Sequence, residues 1–385
     1  MKNTNLHRSI RAILAAVLTL AMLATSVLSA AALSGSSDEK KAGTILKVPV
    51  AQKTAGEIDR EITPGEKPVK ALGSTKVVEF NGDDKLDQFY AQGGAGSITD
   101  VVKFLALNLA VPAPDTSKLE GLKAYPDACS AFQVKNKENG GYYFGRNFDY
   151  DPGDMLIIKT NPKKGYKSLT SCDTSILTNS LGYAAGLIPD DLMTRIGLYI
   201  PVDGMNEKGV CVSINMINDP VVVSQDTGKT KQICTTALRT IMDRAANVDE
   251  AIDILKNCDF HTWDGFLIHL AISDASGKHV VAEWIDNKLS IIETPIVTNF
   301  YLTPGPKYGI GTSESMTRYQ ILTKTLKEKP VMTETDVRDA LASVAKSNFP
   351  ETEHTTEWRI VYNQKTLTAT YYRSEHYRDG YVIHL

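Results

Sequence analysis

Two kinds of hydrophobic pattern alternate along the chain from residue 129 onward. Runs in which apolar and polar residues alternate, or in which β-branched and aromatic residues cluster, predict strands. They are YYFGRNF, GVCVSINM, HLAISDA, HVVAEWI, LSIIETPIVTNF, WRIVYN and LTATYY. Runs with apolar residues three and four positions apart predict helices. They are CTTALRTIMDRAA, VDEAIDILKN, SMTRYQILTKTLKE and TETDVRDALASVAK. The strands come in clusters and the helices in pairs, which favours an α+β fold built in layers over a regular βαβ repeat.

The first 128 residues differ from the rest in composition and in hydrophobic pattern. Three basic residues among the first eleven precede an apolar stretch from 12 to 28, and alanines follow at 30–32. This order predicts a secretory signal peptide over residues 1–32, with a retained membrane anchor as the alternative. Residues 33–74 are rich in Lys, Glu, Ser, Thr and Gly and predict a linker or disordered segment.

A single helix is predicted between this linker and residue 129. Ser97 to Asp100 can cap a helix that continues as VVKFLALNLA and stops before Pro112. Residues 33–128 are therefore predicted to be a linker and a segment with one helix. Residues 129–385 are predicted to be the catalytic domain.

Composition narrows the classes of function. The chain has 385 residues, of which 42% are apolar and 23% charged, with a formal net charge of -3. No basic stripe is present, which argues against a nucleic-acid partner. No stretch after the first 32 residues approaches the ~20 apolar residues that a membrane-spanning helix needs, so no stable membrane span is expected.

The chain has five cysteines, and in an exported protein an odd number leaves at least one thiol unpaired. They are Cys129, Cys172, Cys211, Cys234 and Cys258. Their irregular spacing, with no CxxC pair, suggests neither a disulfide scaffold nor a zinc ribbon. The last four are predicted to be small core residues, which leaves Cys129 as the thiol with a chemical role.

Cys129 begins a predicted hairpin. It opens the strand SAFQV, which enters the polar turn KNKENGG and returns as YYFGRNFDY. A loop over 135–141 places Cys129 opposite residue 147, and a slip of one or two positions leaves it beside Arg146 to Asp149. Arg146 and Asp149 are three positions apart and would face opposite sides of a regular strand. Both can reach Cys129 only if the strand bends or ends there.

This grouping suits an activated thiol, since a nearby guanidinium favours the thiolate. No histidine lies close in sequence. A papain-type base would have to come from a later histidine, but no cysteine-protease signature surrounds Cys129. The other route uses the free α-amine of Cys129 itself as base, which requires Cys129 to become the first residue of the mature chain. His269, Asp274 and Glu283 fit a structural hairpin around a Ser276-Gly277 turn better than a metal site.

The segment CSAFQVKNKENGGYYFGRNFDY resembles the mature start of the choloylglycine hydrolase family of linear amide C–N hydrolases. That family includes bile salt hydrolases, penicillin V acylases and, more distantly, acid-ceramidase-like amidases. Further blocks follow in the family's order: DGMNEKGVCVSIN, VTN, SESMTRY and HTTEWRIVYN. The similarity covers roughly residues 129 to 372. The CxxF…GRNFD and DGMNEKG blocks are the specific ones.

The resemblance implies a role for six residues. Cys129 is similar to the nucleophile, Arg146 to the arginine against its sulfur, and Asp149 to the aspartate that holds the α-amine. Asn299 resembles the side-chain donor of the oxyanion hole and Asn215 the residue whose backbone N–H completes it. Arg318 resembles the last charged member of the set. Around Asn215 this chain has one residue fewer than the bile salt enzymes, so that assignment is the weakest.

The resemblance also implies a fold, a reaction and a substrate class. The fold is expected to be the four-layer αββα sandwich of N-terminal nucleophile hydrolases. The reaction is hydrolysis of a non-peptide N-acyl amide through an S-acyl enzyme, without metal or cofactor, and a homo-oligomer is compatible with it. The acyl pocket is expected in loops around 150–165 and 180–200. A bile acid conjugate, penicillin V, an N-acyl amino acid and an N-acyl lactone all remain open as substrates.

About ninety residues between the signal peptide and Cys129 depart from the pattern of many family members. They form either a separate small domain or a pro-segment cut between Ala128 and Cys129, as in the acid-ceramidase-like branch. As a pro-segment, residues 75–128 are expected to cover the active site, with the apolar helix buried in the acyl pocket. The competing class of function is a secreted, non-catalytic binding or envelope protein on the same fold.

Overall fold

The computed structural model describes residues 45–46, 75–111, 129–175, 189–263, 267–349, 355–374 and 380–385. The predicted signal peptide, most of the predicted linker and residues 112–128 lie outside the described residues. No helix within the described ranges is long and apolar enough to cross a membrane.

The described segments form eighteen strands and seven α-helices. The strands are β1 Ile45–Leu46, β2 Thr75–Phe80, β3 Ser130–Asn136, β4 Tyr142–Tyr150, β5 Met155–Thr160, β6 Ser168–Asp173, β7 Asp203–Asn206, β8 Cys211–Ile217, β9 Thr230–Ile233, β10 Cys258–His261, β11 Leu267–Ser273, β12 His279–Ile285, β13 Lys288–Glu293, β14 Ile296–Val297, β15 Val331–Met332, β16 Thr355–Asn363, β17 Thr368–Arg373 and β18 Tyr381–His384. The helices are α1 Leu86–Ala91, α2 Ile98–Asn108, α3 Asp190–Gly197, α4 Cys234–Arg244, α5 Val248–Lys256, α6 Ser313–Glu328 and α7 Glu334–Ser343. A 3₁₀ turn covers Lys346–Asn348.

Most strands belong to two sheets. A nine-stranded sheet has the order β1-β2-β5-β6-β7-β8-β11-β12-β13. A seven-stranded sheet has the order β14-β3-β4-β16-β17-β18, with β15 also paired to β3. β9 and β10 form a short parallel pair of their own.

The two sheets face each other and helices cover their outer sides. Side chains bridge the sheets, as where Trp358 of β16 donates to Asp203 of β7 and Tyr371 of β17 meets Ser171 of β6. α4 packs on β7 and β8, and α5 on β11 and β12, while α6 and α7 pack on β3, β4 and β16. The layer order is therefore helix, sheet, sheet, helix, which confirms the predicted αββα sandwich.

The four helices predicted after residue 129 are all present, and three of them begin at a residue whose side chain caps the first turn. The Asn247 side chain accepts from the Glu250 N–H at the start of α5, and Thr333 forms a capping box with Asp336 at the start of α7. The strand predicted over LSIIETPIVTNF is instead broken into β13 and β14, because Pro295 cannot donate to a ladder. The four cysteines predicted to be core residues are buried and free.

The described residues before 112 contain more regular structure than the sequence predicted. β1 lies within the predicted linker and pairs with β2, and α1 adds a second helix. β2 is an internal strand of the nine-stranded sheet, parallel to β5 in register over six residues. α2 begins at the predicted cap, Ser97, and its apolar side is buried. Phe104 packs against Phe89 and Tyr199, with ring centroids 5.1 and 5.4 Å apart.

The two stretches expected as pocket loops are partly regular structure. Within 150–165, Met155–Thr160 is β5, whose residues Ile157 and Ile158 are fully buried between neighbouring strands. Within 180–200, Asp190–Gly197 is α3. Residues 176–188 lie outside the described residues. The expectation came from the resemblance, which places loops here but does not fix where the strand and the helix begin.

Candidate active site

Cys129 stands at the open end of the β3–β4 hairpin. Ser130 pairs with Asn147 and Ala131 with Arg146, so continuing this register by one residue puts Cys129 opposite Phe148. The sequence predicted residue 147, one position away, within the stated slip. Cys129 itself precedes the first paired residue of β3 and is only 3% exposed. The hairpin therefore brings the thiol next to Arg146 and Asp149 as predicted.

A β-bulge explains how Arg146 and Asp149, which are three positions apart on β4, can both lie near the sulfur of Cys129. β16 pairs with β4 so that Trp358 faces Phe148 and Thr356 faces Asp149, leaving Glu357 as an extra residue between them. Such an insertion bends the sheet and increases its local twist. The irregularity lies between the positions that carry Arg146 and Asp149, where the sequence required a bend.

Burial and charge act on the Cys129 thiol in opposite directions. Burial raises its pKa, as does the Asp149 carboxylate, while the Arg146 guanidinium and the Asp149 backbone N–H lower it. Burial is the largest of these, so the pKa of the thiol is raised in the uncut chain. Arg146 acts in the direction that the sequence predicted, and burial, which the sequence did not show, outweighs it.

Arg146 is fully buried and held at several points. Nη2 donates to the Ile214 carbonyl at 2.8 Å, and Nη1 donates to Asn215 Oδ1 at 3.2 Å. Nε lies 3.7 Å from Asp203 Oδ2. Asp203 also accepts from Trp358 Nε1 and from the Tyr362 hydroxyl, each at 3.1 Å. A buried guanidinium is therefore fixed by backbone and by a buried carboxylate that is itself fixed.

Asp149 and Arg318 form a second buried pair beside Cys129. Arg318 Nη1 lies 3.4 Å from Asp149 Oδ2 and donates to the Cys129 carbonyl at 3.0 Å. The Thr356 hydroxyl donates to Asp149 Oδ1 at 2.6 Å. Burial raises the pKa of Asp149 to about 6, against the lowering effect of Arg318, Lys346, Thr356 and Arg146.

Asn299 connects this second pair to the backbone of Cys129. Its Oδ1 accepts from the Cys129 N–H at 2.7 Å and from Arg318 Nη2 at 2.9 Å. Its Nδ2 donates one hydrogen to the Met216 carbonyl at 2.7 Å, which leaves a second N–H on the same nitrogen. Asn299 follows β14 directly and is buried at 1% exposure.

Asn215 lies on β8, on the Arg146 side of the cluster. Its Oδ1 accepts from Arg146, and its Nδ2 donates to the Ser213 carbonyl and hydroxyl at 3.2 and 3.1 Å. All six residues singled out by the resemblance are thus linked to one another by hydrogen bonds or ion pairs around Cys129. The cluster joins strands of both sheets and the first turns of α6.

Two residues of this cluster were missed from the sequence. Asp203 is the buried counter-ion of Arg146, and Thr356 binds Asp149. Both stand in quoted blocks, DGMNEKG and HTTEWRIVYN, so their presence there was the available signal. The predicted hairpin of His269, Asp274 and Glu283 is present, since Ser273 pairs with His279 across the turn.

The arrangement contains the parts of an acyl-transfer site. A thiol lies beside a guanidinium, a buried carboxylate is paired with the arginine that binds the carbonyl of the same cysteine, and a side-chain amide binds the backbone N–H of that cysteine. Among the residues that the structure describes, no group of three or more His, Cys, Asp or Glu could hold a metal ion.

Known proteins are similar to this chain in sequence. The family model for acyl-coenzyme A:6-aminopenicillanic acid acyl-transferase matches residues 195–376. A bile salt hydrolase/transferase of Clostridium perfringens is 28% identical over 180 residues, covering 44% of this chain and 51% of that protein. The chain thus spans about half the length of this relative.

A solved structure shares the fold. A mutant of the conjugated bile acid hydrolase from Clostridium perfringens matches with a TM-score of 0.50 and 20% identity, covering 67% of this chain and 92% of that one. Penicillin V acylase from Agrobacterium tumefaciens matches with a TM-score of 0.41 and 16% identity, over 66% and 84% of the two chains. By sequence the chain is similar to the acyl-transferase family model and to the bile salt hydrolase/transferase, and by fold it is similar to the conjugated bile acid hydrolase.

Proposed function

We propose that this protein is a secreted N-terminal cysteine hydrolase that cleaves linear, non-peptide amide bonds of N-acyl substrates. Cleavage of its own chain before Cys129 activates it. The freed α-amine takes the thiol proton as the sulfur attacks the amide carbonyl, and then gives that proton to the leaving amine. Water hydrolyses the resulting S-acyl enzyme. Asn299 and the Asn215 backbone N–H stabilise the oxyanion.

The observation that carries this proposal is the way the backbone of Cys129 is bound. Its N–H donates to Asn299 and its carbonyl accepts from Arg318, while Asp149 lies within reach of the same Arg318. A buried amide oxygen on the backbone nitrogen, with a carboxylate one residue contact away through Arg318, suits the amine that cleavage would create there. A thiol protease with a histidine base has no need of such a nitrogen site.

The same geometry supports an inactive precursor. While Cys129 is joined to residue 128 its nitrogen is an amide and cannot act as a base. Burial at the same time raises the pKa of its thiol. Cleavage supplies the base, and the positive charge that an α-amine can carry would also favour the thiolate.

The substrate class is tested by a panel of amides. Processed protein is incubated with a glycine-conjugated bile acid, penicillin V, an N-acyl amino acid and an N-acyl lactone, and the released amine or acid is measured. We expect hydrolysis of at least one N-acyl amide with an S-acyl adduct on Cys129 detectable by mass. The competing binding or envelope protein would hydrolyse none and would show no preferential labelling of Cys129 by a thiol-directed probe.

After cleavage, we expect the N-terminal fragment to stay bound to residues 129–385. β2 is an internal strand of the nine-stranded sheet, and Arg239 of α4 lies 3.5 Å from the Asp84 carboxylate. Tyr199 donates to the Asp84 carbonyl at 2.7 Å, and the Ala95 N–H donates to the Lys231 carbonyl at 2.8 Å. Size-exclusion chromatography of processed protein should give one peak containing both chains.

The control for that prediction is residues 129–385 produced with a removable methionine. Without β2, the edge of β5 loses its parallel partner. The buried side chains of Phe80, Phe89 and Phe104 are also lost, which exposes the apolar side chains that they cover in the rest of the fold. We expect this truncated chain to aggregate or to unfold at a lower temperature. Dissociation of the fragment at full activity would contradict the prediction.

Asp149 should make the uncut protein less stable as pH rises. Its folded pKa is about 6 against an ordinary value of 3.8, so the folded state keeps a proton that the unfolded state releases between those values. The stabilisation is therefore complete below about pH 4 and is lost by about pH 6, a change of about 3 kcal/mol. The free energy of unfolding is measured by chemical denaturation at each pH for Cys129→Ala and for Cys129→Ala/Asp149→Asn. The difference between the two proteins isolates the effect of Asp149, because they share all other titrating groups. Parallel stability profiles from pH 4 to 7 would contradict it.

A further inference from the structure

A buried ion pair lies outside the six residues considered so far. His269 of β11 and Glu283 of β12 are both fully buried, and Nδ1 of the imidazole lies 3.1 Å from Glu283 Oε1. Burying a charged pair costs desolvation energy, which must be offset by further hydrogen bonds to the same groups. The partners of this pair therefore indicate what it holds in place.

Those partners all lie in one segment, residues 298–303, which carries Asn299 between β14 and α6. His269 Nε2 lies 2.6 Å from the Thr298 carbonyl oxygen. Glu283 accepts from the Leu302 N–H at 2.8 Å, from the Thr303 N–H at 3.0 Å and from the Thr303 hydroxyl at 2.7 Å. The pair thus binds the segment on both sides of Asn299.

A third contact fixes Asn299 from the opposite element. The Asn299 N–H donates to Ser315 Oγ at 2.6 Å, and the Thr298 hydroxyl donates to the Ser315 carbonyl at 3.0 Å. Ser315 belongs to the first turn of α6, whose cap is Thr312. The peptide between Thr298 and Asn299 is therefore held by α6 through its N–H and by His269 through its carbonyl.

Both members of the pair make hydrogen bonds to the segment. Both ring nitrogens of His269 face acceptors, the Glu283 carboxylate and the Thr298 carbonyl. Burial raises the pKa of Glu283, but His269, the Leu302 N–H and Thr303 together bring it below its ordinary value. An ionised Glu283 is a strong acceptor for the two backbone N–H groups and the hydroxyl of the segment.

His269 also stands next to the other expected oxyanion residue. In the register of β11 with β8, His269 is the direct partner of Asn215. His269 therefore pairs with Asn215 through its backbone and contacts the Thr298 carbonyl, next to Asn299, through its side chain.

We propose that His269 and Glu283 are positioning residues that set the side-chain amide of Asn299 for the oxyanion. The inference rests on the proposed amide hydrolysis and extends it beyond the six residues of the resemblance. A loosened 298–303 segment would move the amide away from the developing charge without changing the acyl pocket. The expected loss lies in kcat, with KM little affected.

Two substitutions at His269 separate its two contacts. Asn places its amide near the Nδ1 position and loses the bond to the Thr298 carbonyl, whereas Gln can place an N–H near the Nε2 position and keep it. We expect His269→Asn to lower kcat by about tenfold to a hundredfold, less than loss of an oxyanion donor itself. His269→Gln should recover a large part of that loss, and KM should stay within about twofold in both.

The matched control is His279→Asn, which changes another buried histidine of the same sheet. His279 is 3% exposed, and its Nδ1 contacts the Thr294 carbonyl, ahead of the 298–303 segment. We expect this variant to lose stability and to keep the wild-type kcat. Rates are expressed per mole of folded protein isolated by size-exclusion chromatography, so that unfolded protein does not count.

The outcomes are distinguishable. A wild-type kcat in His269→Asn, or an equal loss in His279→Asn, would overturn the positioning role. If His269→Asn does not fold, Thr303→Val removes only one hydroxyl from Glu283 and should lower kcat by about twofold to fivefold. An unchanged kcat in Thr303→Val would then overturn the inference. Full activity in Cys129→Ser and Asn299→Ala would instead show that the proposed function itself is wrong.

Discussion

Cys129→Ser is expected to lower turnover by at least about a thousandfold while the protein still folds. A hydroxyl at neutral pH is a far poorer nucleophile than a thiol beside Arg146. The side chains are close in volume, so the buried site is not opened. If cleavage is carried out by Cys129 itself, Cys129→Ala should also accumulate the uncut chain. Steady-state rates and the masses of the purified chains measure both effects.

The matched control is Cys258→Ser, at another free and buried cysteine. Cys258 contacts the Leu255 carbonyl at the end of α5 and takes no part in the Cys129 cluster. We expect wild-type turnover per folded molecule and normal processing in this variant. Normal turnover in Cys129→Ser would mean that another residue is the nucleophile.

Asp203→Asn is expected to destabilise the protein by about 3–5 kcal/mol, because it leaves the buried Arg146 guanidinium without its counter-ion. The carboxylate also accepts from Trp358 and Tyr362, one bond at each oxygen, whereas the asparagine amide has one oxygen that accepts and an NH₂ group that only donates. Turnover should fall with it, since Arg146 lies against the Cys129 sulfur. Equilibrium denaturation of the uncut Cys129→Ala protein, with and without Asp203→Asn, measures the stability.

Tyr362→Phe provides the comparison, because it removes one hydrogen bond from an uncharged donor to the same carboxylate and leaves the charge pair. We expect a cost of about 1.5–3 kcal/mol. If Asp203→Asn costs no more than Tyr362→Phe, the fixed position of Arg146 does not depend on Asp203.

The parts of the fold that depend on local pattern could be predicted from the sequence. The β3–β4 hairpin was placed within one residue because its turn and its two strands are adjacent in the chain, so the register follows from loop length. α2, α5 and α7 were placed at or near their capping residues for the same reason. The six site residues came from the resemblance, and the structure brings all of them together.

What depends on distant pairing could not be predicted. β2 joins β5 in parallel, across a connection that no local pattern specifies, so the sequence did not predict that residues 75–80 add a strand to the nine-stranded sheet. Asp203 and Thr356 bind the catalytic cluster from strands far along the chain. The raised pKa of Cys129 likewise reflects burial from many sides, whereas the sequence shows only the neighbouring arginine.

The N-terminus of the active protein tests the central claim most directly. Protein that hydrolyses an N-acyl amide is purified, and the masses of all its chains are measured without prior digestion. The account predicts a chain of residues 129–385 with Cys129 at its free N-terminus, accompanied by a second chain that ends at residue 128. An active protein in which residues 128 and 129 are still joined by a peptide bond would contradict the account, because the amide nitrogen of Cys129 could not then serve as the base.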